Sequence, residues 1–408
     1  MIGYKYLYLL YIVVELVFGA LRIGSLSPRI ILTLLMFVIC KRGNFIYIDE
    51  YFKIFLIFIF FYILSGFSSG YVFENLKWSL SFYFCSFVAY MSTRYLIEKH
   101  NGINFVYYTL LIIGLLDAIV TIGQYYGVPI TFELGAYAEN DMELVDDVTS
   151  KITRRGNLVG VALPGILGTT YNGVYLSFLC VLSLFHRSGI PRIYNFIFLL
   201  ISLTASFVTQ ERTGTAIGVI LSAFFIVRLF SSAKSVGFRF KTIILCVASI
   251  IILLPVVQEL VYGDNSRYDT IDDGLDIRNG FWASTMEFLQ DNPLGGSSLF
   301  AKTYGLPPHN LFLNMLVTGG IFGAIVLLVL FVKQLKLVKK AFIQTPVLAN
   351  NVFFVFSLAY LATIINSLTH NCSFVRGDPI CWILFAVVVS YSISSFEGNK
   401  NYGRWNKK

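Results

Sequence analysis

The sequence predicts an all-α, polytopic integral membrane protein with about a dozen transmembrane helices. Three observations carry that expectation. Only 13% of the 408 residues are charged and 56% are hydrophobic, whereas a soluble chain is about a quarter charged. Runs of mostly apolar residues near the length of a bilayer span, roughly 20 residues, recur along the chain. Within those runs polarity does not alternate every second residue, as the strands of a membrane barrel require. With 38 Phe and 25 Tyr, the chain holds more rings than one water-soluble core needs, and much of its surface must face lipid.

The first run, Tyr4–Leu21, resembles a signal peptide in length. It carries one early Lys5 and no small-residue cleavage pattern, and further spans follow at once, so it is expected to be retained as the first helix. Arg29–Cys40, Tyr51–Gly66, Trp78–Tyr95 and Phe105–Tyr126 follow. After a polar stretch come Leu163–Phe185, Ile193–Thr209, Thr213–Phe230 and Thr242–Val257. A second long polar stretch precedes Asn310–Val332, and Asn351–Leu368 and Pro379–Phe396 close the set. The second run is short and the sixth contains Pro164 and three Gly, so their ends are the least defined. The whole chain, 1–408, is read as a single membrane domain. The six Cys are scattered, none in a CxxC pair, which suits buried apolar side chains better than a disulfide framework or a zinc site.

Orientation follows from where Lys and Arg lie between spans. With the N-terminus inside, 20 basic residues fall on the inner side and 11 on the outer. The acids Glu133, Glu139, Asp141, Glu143, Asp146, Asp147, Asp264, Asp269, Asp272, Asp273 and Asp276 all fall in two long outer loops, 127–162 and 258–308. Both termini are therefore expected in the cytoplasm. The net charge of +8 expresses this asymmetry and does not point to nucleic acid. Eight of the 11 outer basic residues are Arg, against seven of the 20 inner ones. Lys suffices to set topology, whereas Arg offers a planar fork of donors suited to phosphate oxygens. That bias points to an anionic, phosphorylated ligand on the outer face.

Long loops in a compact protein tend to be functional. The second is expected to contain a short amphipathic helix, with Asp276 as its cap, Arg278 in its first turn and Phe281 and Trp282 at the membrane surface. Asn292-Pro293 stops it. The segments Arg278-Asn279-Gly280-Phe281-Trp282, Asn292-Pro293-Leu294-Gly295-Gly296, His309-Asn310-Leu311-Phe312-Leu313 and Gly319-Gly320-Ile321-Phe322-Gly323 together resemble the O-antigen ligase and polymerase superfamily. Upstream, Gln210-Glu211-Arg212-Thr213-Gly214 resembles that family's Arg at the outer start of a span, with Glu211 where a small hydroxyl residue is usual. Arg154-Arg155-Gly156 ahead of Thr170-Tyr171-Asn172-Gly173 resembles its first-loop Arg and the Asn near the head of a span.

The resemblance implies an enzyme of the bacterial inner membrane that joins sugar chains carried on undecaprenyl diphosphate, at the periplasmic face. Lipid-linked glycans would be donor and acceptor, membrane lipid the surroundings, and a chain-length regulator and a flippase the partners in the pathway. It implies no cofactor and no metal, since Arg can carry the diphosphate charge and no outer Asp-x-Asp or His cluster demands a cation. Arg212, Arg278, Arg154 and Arg155 would bind the diphosphate, His309 would be the base, and Asn310, Glu211 and Arg376 would support them. A polymerase extends the glycan by lipid-linked repeat units, and a ligase transfers it to lipid A-core. The ligase pattern has paired Thr after the Gly pair, and Ala324-Ile325 stand there instead, which favours the polymerase.

Each residue also has a plainer reading. His309 could be an interfacial side chain, Arg278 a headgroup contact, Arg212 a snorkelling anchor, and Arg154 or Arg155 a partner for loop acids. Arg376 could pair with Asp378. Glu15 and Asp117, inside spans, could serve helix-to-helix hydrogen bonds, and the pairs Gly214/Gly218 and Gly319/Gly323 close helix packing. A transporter or lipid-linked sugar flippase is the competing class. It would need charges through the whole bilayer depth, and the polar residues here lie mostly in the outer loops.

Overall fold

The computed structural model describes residues 2–19, 27–43, 45, 48–139, 163, 165–167, 172–185, 192–209, 211–232, 237, 244, 254, 258, 271–304, 308, 310–344, 351–369 and 374–396. In chain order the helices are α1 (Ile2–Leu16), α2 (Pro28–Arg42), α3 (Glu50–Ser69), α4 (Val72–Trp78), α5 (Phe84–His100), α6 (Ile103–Tyr125) and α7 (Pro129–Glu139). They continue with α8 (Asn172–Leu182), α9 (Arg192–Val208), α10 (Arg212–Ser232), α11 (Ile271–Asp291), α12 (Ser297–Tyr304), α13 (Leu311–Gln344), α14 (Val352–Ser367) and α15 (Pro379–Phe396). Among the described residues there is no strand. α3, α6 and α13 are long and apolar enough to cross a membrane, and five shorter apolar helices accompany them.

Several predicted boundaries move. In the sixth run the described helix begins at Asn172, and Gly165–Leu167 ahead of it form a turn. The fourth run is longer than expected: α4 leads through a single π turn, Ser79–Tyr83, directly into α5. The tenth continues from Leu311 to Gln344, with one non-helical residue inside it. The ninth, Thr242–Val257, lies outside the described residues apart from 244 and 254. The first long loop begins with a helix, α7, that the sequence reading did not anticipate. In the second, the helix is 21 residues long and starts at Ile271, so Asp276 lies within it and cannot be its cap. Acidic residues at 272 and 273 suit the positive end of the helix dipole, which favours the earlier start and puts Arg278 in the second turn.

The chain divides into two compact units. The first comprises Met1–Arg29, Gly102–Ile271 and Phe342–Thr363. Its centre is α8, every residue of which is buried, as expected of a helix that is apolar all round. α6, α9 and α10 pack around it, and α1 lies against α6. Small residues permit the approach: a methyl at Gly214 would lie 2.8 Å from Gly173 O, and one at Gly218 would lie 3.3 Å from Cys180 Sγ. The expected close packing therefore holds at this crossing. Glu15 of α1 accepts a hydrogen bond of 2.8 Å from Arg29 Nε, a buried ion pair inside this unit.

The second unit comprises Ile30–Asn101, Asp272–Ala341 and Ile364–Lys408. α3 supplies its aromatic spine. Phe52, Phe55, Phe58 and Tyr62 recur every three or four residues on one face and are all buried. They meet Tyr83, at the end of the π turn, and Trp382 of α15. Asp49 caps α3 by accepting from Phe52 N at 2.8 Å, and Gly70 ends it in the left-handed conformation. α15 packs along α5. At one end of this unit Arg94 binds Asp49 at 2.7 Å and Glu98 at 2.8 Å, while Tyr90 donates to Asp49 and Ser390 to Glu98. Arg94 is thus a buried structural cation, although it counted among the residues expected to set topology.

Candidate functional site

At the first unit's part of the candidate site, the chain returns from its first long loop through the turn Gly165–Leu167. Ile166 N donates to Asp117 Oδ1 at 2.9 Å. Gln124 accepts from Gly165 N at 3.0 Å and donates to Thr131 O at 2.8 Å. Asn172, the first residue of α8, donates to Leu163 O at 2.6 Å and to Thr121 Oγ1 at 3.1 Å. Asp117, Gln124 and Asn172 are all buried. Asp117 therefore serves a loop backbone and not a neighbouring helix. A turn at this depth must have its backbone groups satisfied by protein, and these three side chains do so.

Glu211 stands immediately before Arg212, the first residue of α10. Its carboxylate lies over Gly173, so that a methyl at Gly173 would overlap Glu211 Oε2. The Glu that replaces the small residue of the family pattern is accommodated because the start of α8 has Gly facing it. Ser206 and Thr215 tie the ends of α9 and α10 together: Thr215 Oγ1 donates to Ser206 O at 2.7 Å. Arg212 is positioned by this junction, and only its backbone is described.

In the second unit the quoted motifs interlock. The turn Asn292–Gly295 closes by a 2.8 Å bond from Gly295 N to Asn292 O. It wedges against α13 where Gly320, at φ 64° and ψ −167°, breaks the helix. Gly296 N donates to Val317 O at 2.8 Å and Ile321 N to Pro293 O at 3.1 Å. The backbone groups released by the break are thus taken up by the turn, and the segments 292–296 and 319–323 form one joint. Below it, Phe288 of α11 packs edge-on to Phe300 of α12, 5.2 Å between centroids, and both contact Val317. Tyr304 of α12 hydrogen-bonds with Glu287 of α11, and its hydroxyl is held above its ordinary pKa by burial, then by the charges of Glu287 and Asp291. Trp282 of α11 is exposed.

Asn310 caps α13. Its Oδ1 accepts from Phe312 N at 2.9 Å and Leu313 N at 3.2 Å, and its Nδ2 donates to Leu368 O at 3.1 Å. Gly319 and Gly323 face Phe58 and Phe61 of α3, close packing as expected. Arg376 ends a short 3-10 turn, and its guanidinium lies 5.6 Å from the centroid of Trp78. Among the described residues no ion pair joins it to Asp378.

Of the residues singled out in the sequence, His309, Arg154 and Arg155 lie outside the described residues. For Arg278, as for Arg212, only the backbone is described. Arg278 is on α11, which the joint at Gly320 attaches to the head of α13, the segment that begins beside His309. Sequence reasoning missed the supporting roles of Asp117 and Gln124, although a carboxylate inside an apolar run is itself a signal.

Residues 197–328, about a third of the chain, match the family model described as O-antigen ligase. No curated protein and no solved structure matches the chain. The matched segment contains Glu211, Arg212, Arg278, the turn Asn292–Gly295, Asn310 and Gly320, and over that segment the chain is similar to the O-antigen ligase family.

Proposed function

We propose that this protein is a polysaccharide polymerase, a metal-independent membrane glycosyltransferase acting at the periplasmic face of the bacterial inner membrane. Its termini are cytoplasmic, and loops 127–162 and 258–308 meet the substrates. A hydroxyl of the lipid-linked acceptor repeat unit attacks the anomeric carbon of the donor glycan. The bond from that carbon to the diphosphate oxygen breaks, and undecaprenyl diphosphate leaves with the electron pair. Neutral His309 takes the hydroxyl proton, a role matched to its pKa range. Arg212, Arg278 and Arg154 or Arg155 neutralise the departing diphosphate, which stabilises charge where it develops.

The observation that carries this reading is the family match over residues 197–328, with Arg212, Arg278 and the His309–Asn310 pair in motif order inside it. The choice of polymerase rests on Ala324-Ile325 standing where a ligase pattern has paired Thr. The description of the matched family favours the second reading, transfer to lipid A-core by the same chemistry.

The test uses purified protein with lipid-linked repeat units as donor and acceptor, or with lipid A-core as acceptor. A ladder of lengthening products is expected with repeat units. Products on lipid A-core alone would make the protein a ligase. His309→Gln should lose about a hundred- to ten-thousand-fold in rate while still binding donor. A His309→Gln enzyme turning over near the wild-type rate removes His309 as base. Arg212→Ala and Arg278→Ala should each abolish product at normal membrane levels, with Arg→Lys restoring only part.

A further inference from the structure

Of the cations assigned to the candidate site, Arg376 has a described side chain, and it stands on a built surface. Tyr71, Asn75 and Trp78 fall at helical spacings of four and three residues, which puts them on one face of α4 and its cap. Asn75 is buried and fastens that face. Its Nδ2 donates to Tyr62 O at 2.7 Å, and its Oδ1 accepts from Ser298 Oγ of α12 at 3.3 Å. The two rings flank it about 10 Å apart along the axis, and each carries a cation. Lys302 Nζ of α12 is 5.8 Å from the Tyr71 centroid, and Arg376 Cζ is 5.6 Å from that of Trp78. Trp78 is itself stacked on Phe82 at 3.9 Å. The segment carrying Arg376 is pinned by Ser86 Oγ donating to Gly377 O.

Among the described residues, Arg376 and Lys302 make no ion pair, and Glu74, exposed on α4, pairs with neither. A guanidinium against a ring is attracted by the ring's electron-rich face, and its in-plane N–H donors remain available for a bidentate anion. Arg376 is half-buried, so those donors are already partly desolvated. α4 and the π turn also present Phe73, Leu76 and Leu80 as exposed apolar side chains, Phe73 at 81%. An ionic head and a hydrocarbon tail can therefore be served by one short stretch of chain. That combination fits a lipid-linked anion better than a free phosphate.

We infer that Arg376 and Lys302, seated on Trp78 and Tyr71, form a second anion site that takes the diphosphate of the polyprenyl-linked acceptor. It shares no residue with the Arg set assigned to the donor. The inference rests on the polymerase reading, in which both substrates carry a diphosphate. Arg376 grips the phosphate oxygens with its fork, Lys302 adds a second charge, and the prenyl chain runs past Phe73 and Leu80.

The experiment uses the full chain in zwitterionic nanodiscs, with undecaprenyl diphosphate as the binding probe and the transfer assay as the kinetic one. Wild type should bind two equivalents of the probe, and the Arg376→Gln, Lys302→Gln double variant one. The variant's KM for acceptor should rise about tenfold or more, with donor KM and kcat little changed, and Arg376→Lys should recover part of the loss. A single equivalent bound by wild type, or an equal rise in both KM values, overturns the site. Loss of phosphatidylglycerol binding with undecaprenyl diphosphate binding intact would make it a phospholipid headgroup site and also overturn it. Transfer to lipid A-core alone would sink the polymerase reading instead, and the count of bound diphosphates would still decide the site.

Discussion

Replacing Gly320 by Ala tests whether the joint between the second outer loop and α13 is needed for activity. The methyl would lie 2.6 Å from Leu294 Cα and 2.5 Å from Leu294 O, and a backbone cannot rotate away as a side chain can. The residue occupies a region of φ and ψ open essentially to Gly, worth about 1–3 kcal/mol of strain for any other residue. Overpacking adds about 1–3 kcal/mol. Relief requires the substituted position to become helical, which regains about 1 kcal/mol of propensity. It also re-forms the helix ladder, so that Val317 O and Ile321 N no longer bond Gly296 N and Pro293 O, at about 0.5–1.5 kcal/mol each. Staying in place thus costs about 2–6 kcal/mol, whereas the helical route costs about 0–2 kcal/mol net; that route is favoured, so the 292–296 turn loses its seat and α11 with Arg278 its fixed relation to the head of α13. In the transfer assay, kcat/KM should fall at least tenfold for Gly320→Ala. The protein should remain in the membrane and keep its helical circular dichroism. Wild-type activity together with wild-type Tm would refute the reasoning, because it would mean that the turn needs no seat on α13.

Gly173→Ala should drive the Glu211 carboxylate off the start of α8 and reduce transfer. Glu211→Gln in the same assay should be milder, since it keeps the packing, and equal loss in both would show that the charge of Glu211 matters more than its seat. Arg94→Met leaves the buried Asp49 and the partly buried Glu98 without their cation, and removing one partner of a buried pair typically costs about 3–5 kcal/mol. A clear drop in Tm of the purified protein is expected, and an unchanged Tm would show that the network is not structural.

The long apolar helices α3, α6 and α13 were legible because lipid imposes one rule on a spanning helix: a run such as that of α3 must be apolar throughout. The buried stripe within it was less legible, because lipid-facing and buried positions are both apolar: Phe60 is exposed and Phe58 buried, and both are Phe. The loop helix α11 was found from its periodicity, but its expected first residue, 277 after the cap Asp276, lies six residues past the observed start at Ile271, since acidic residues suit the first turn of a helix as well as its cap. The motif residues were visible as patterns and their contacts were not. Nothing in the spacing of Pro293-Leu294-Gly295-Gly296 and Gly319-Gly320 states that the two backbones touch. Asn310 was expected only as a supporting residue, and its capping of α13 comes from the structure, in keeping with Asn as a favoured N-cap.

The two interruptions of helical regularity, one in each unit, account for polar residues and glycines inside otherwise apolar runs. A backbone group freed inside a membrane must be bonded by protein. At the turn Gly165–Leu167 the helices around it supply side chains: Asp117 and Gln124 from α6 and Asn172 from α8. Polar residues therefore appear inside otherwise apolar runs, at positions where their chemistry would otherwise be unfavourable. At Gly320 no side chain intervenes; the loop brings its own backbone, which requires a close approach and hence glycine at 295, 296 and 320. The first device ties the turn ahead of α8 to α6, and the second ties the 292–296 turn, and with it α11 and the backbone of Arg278, to α13.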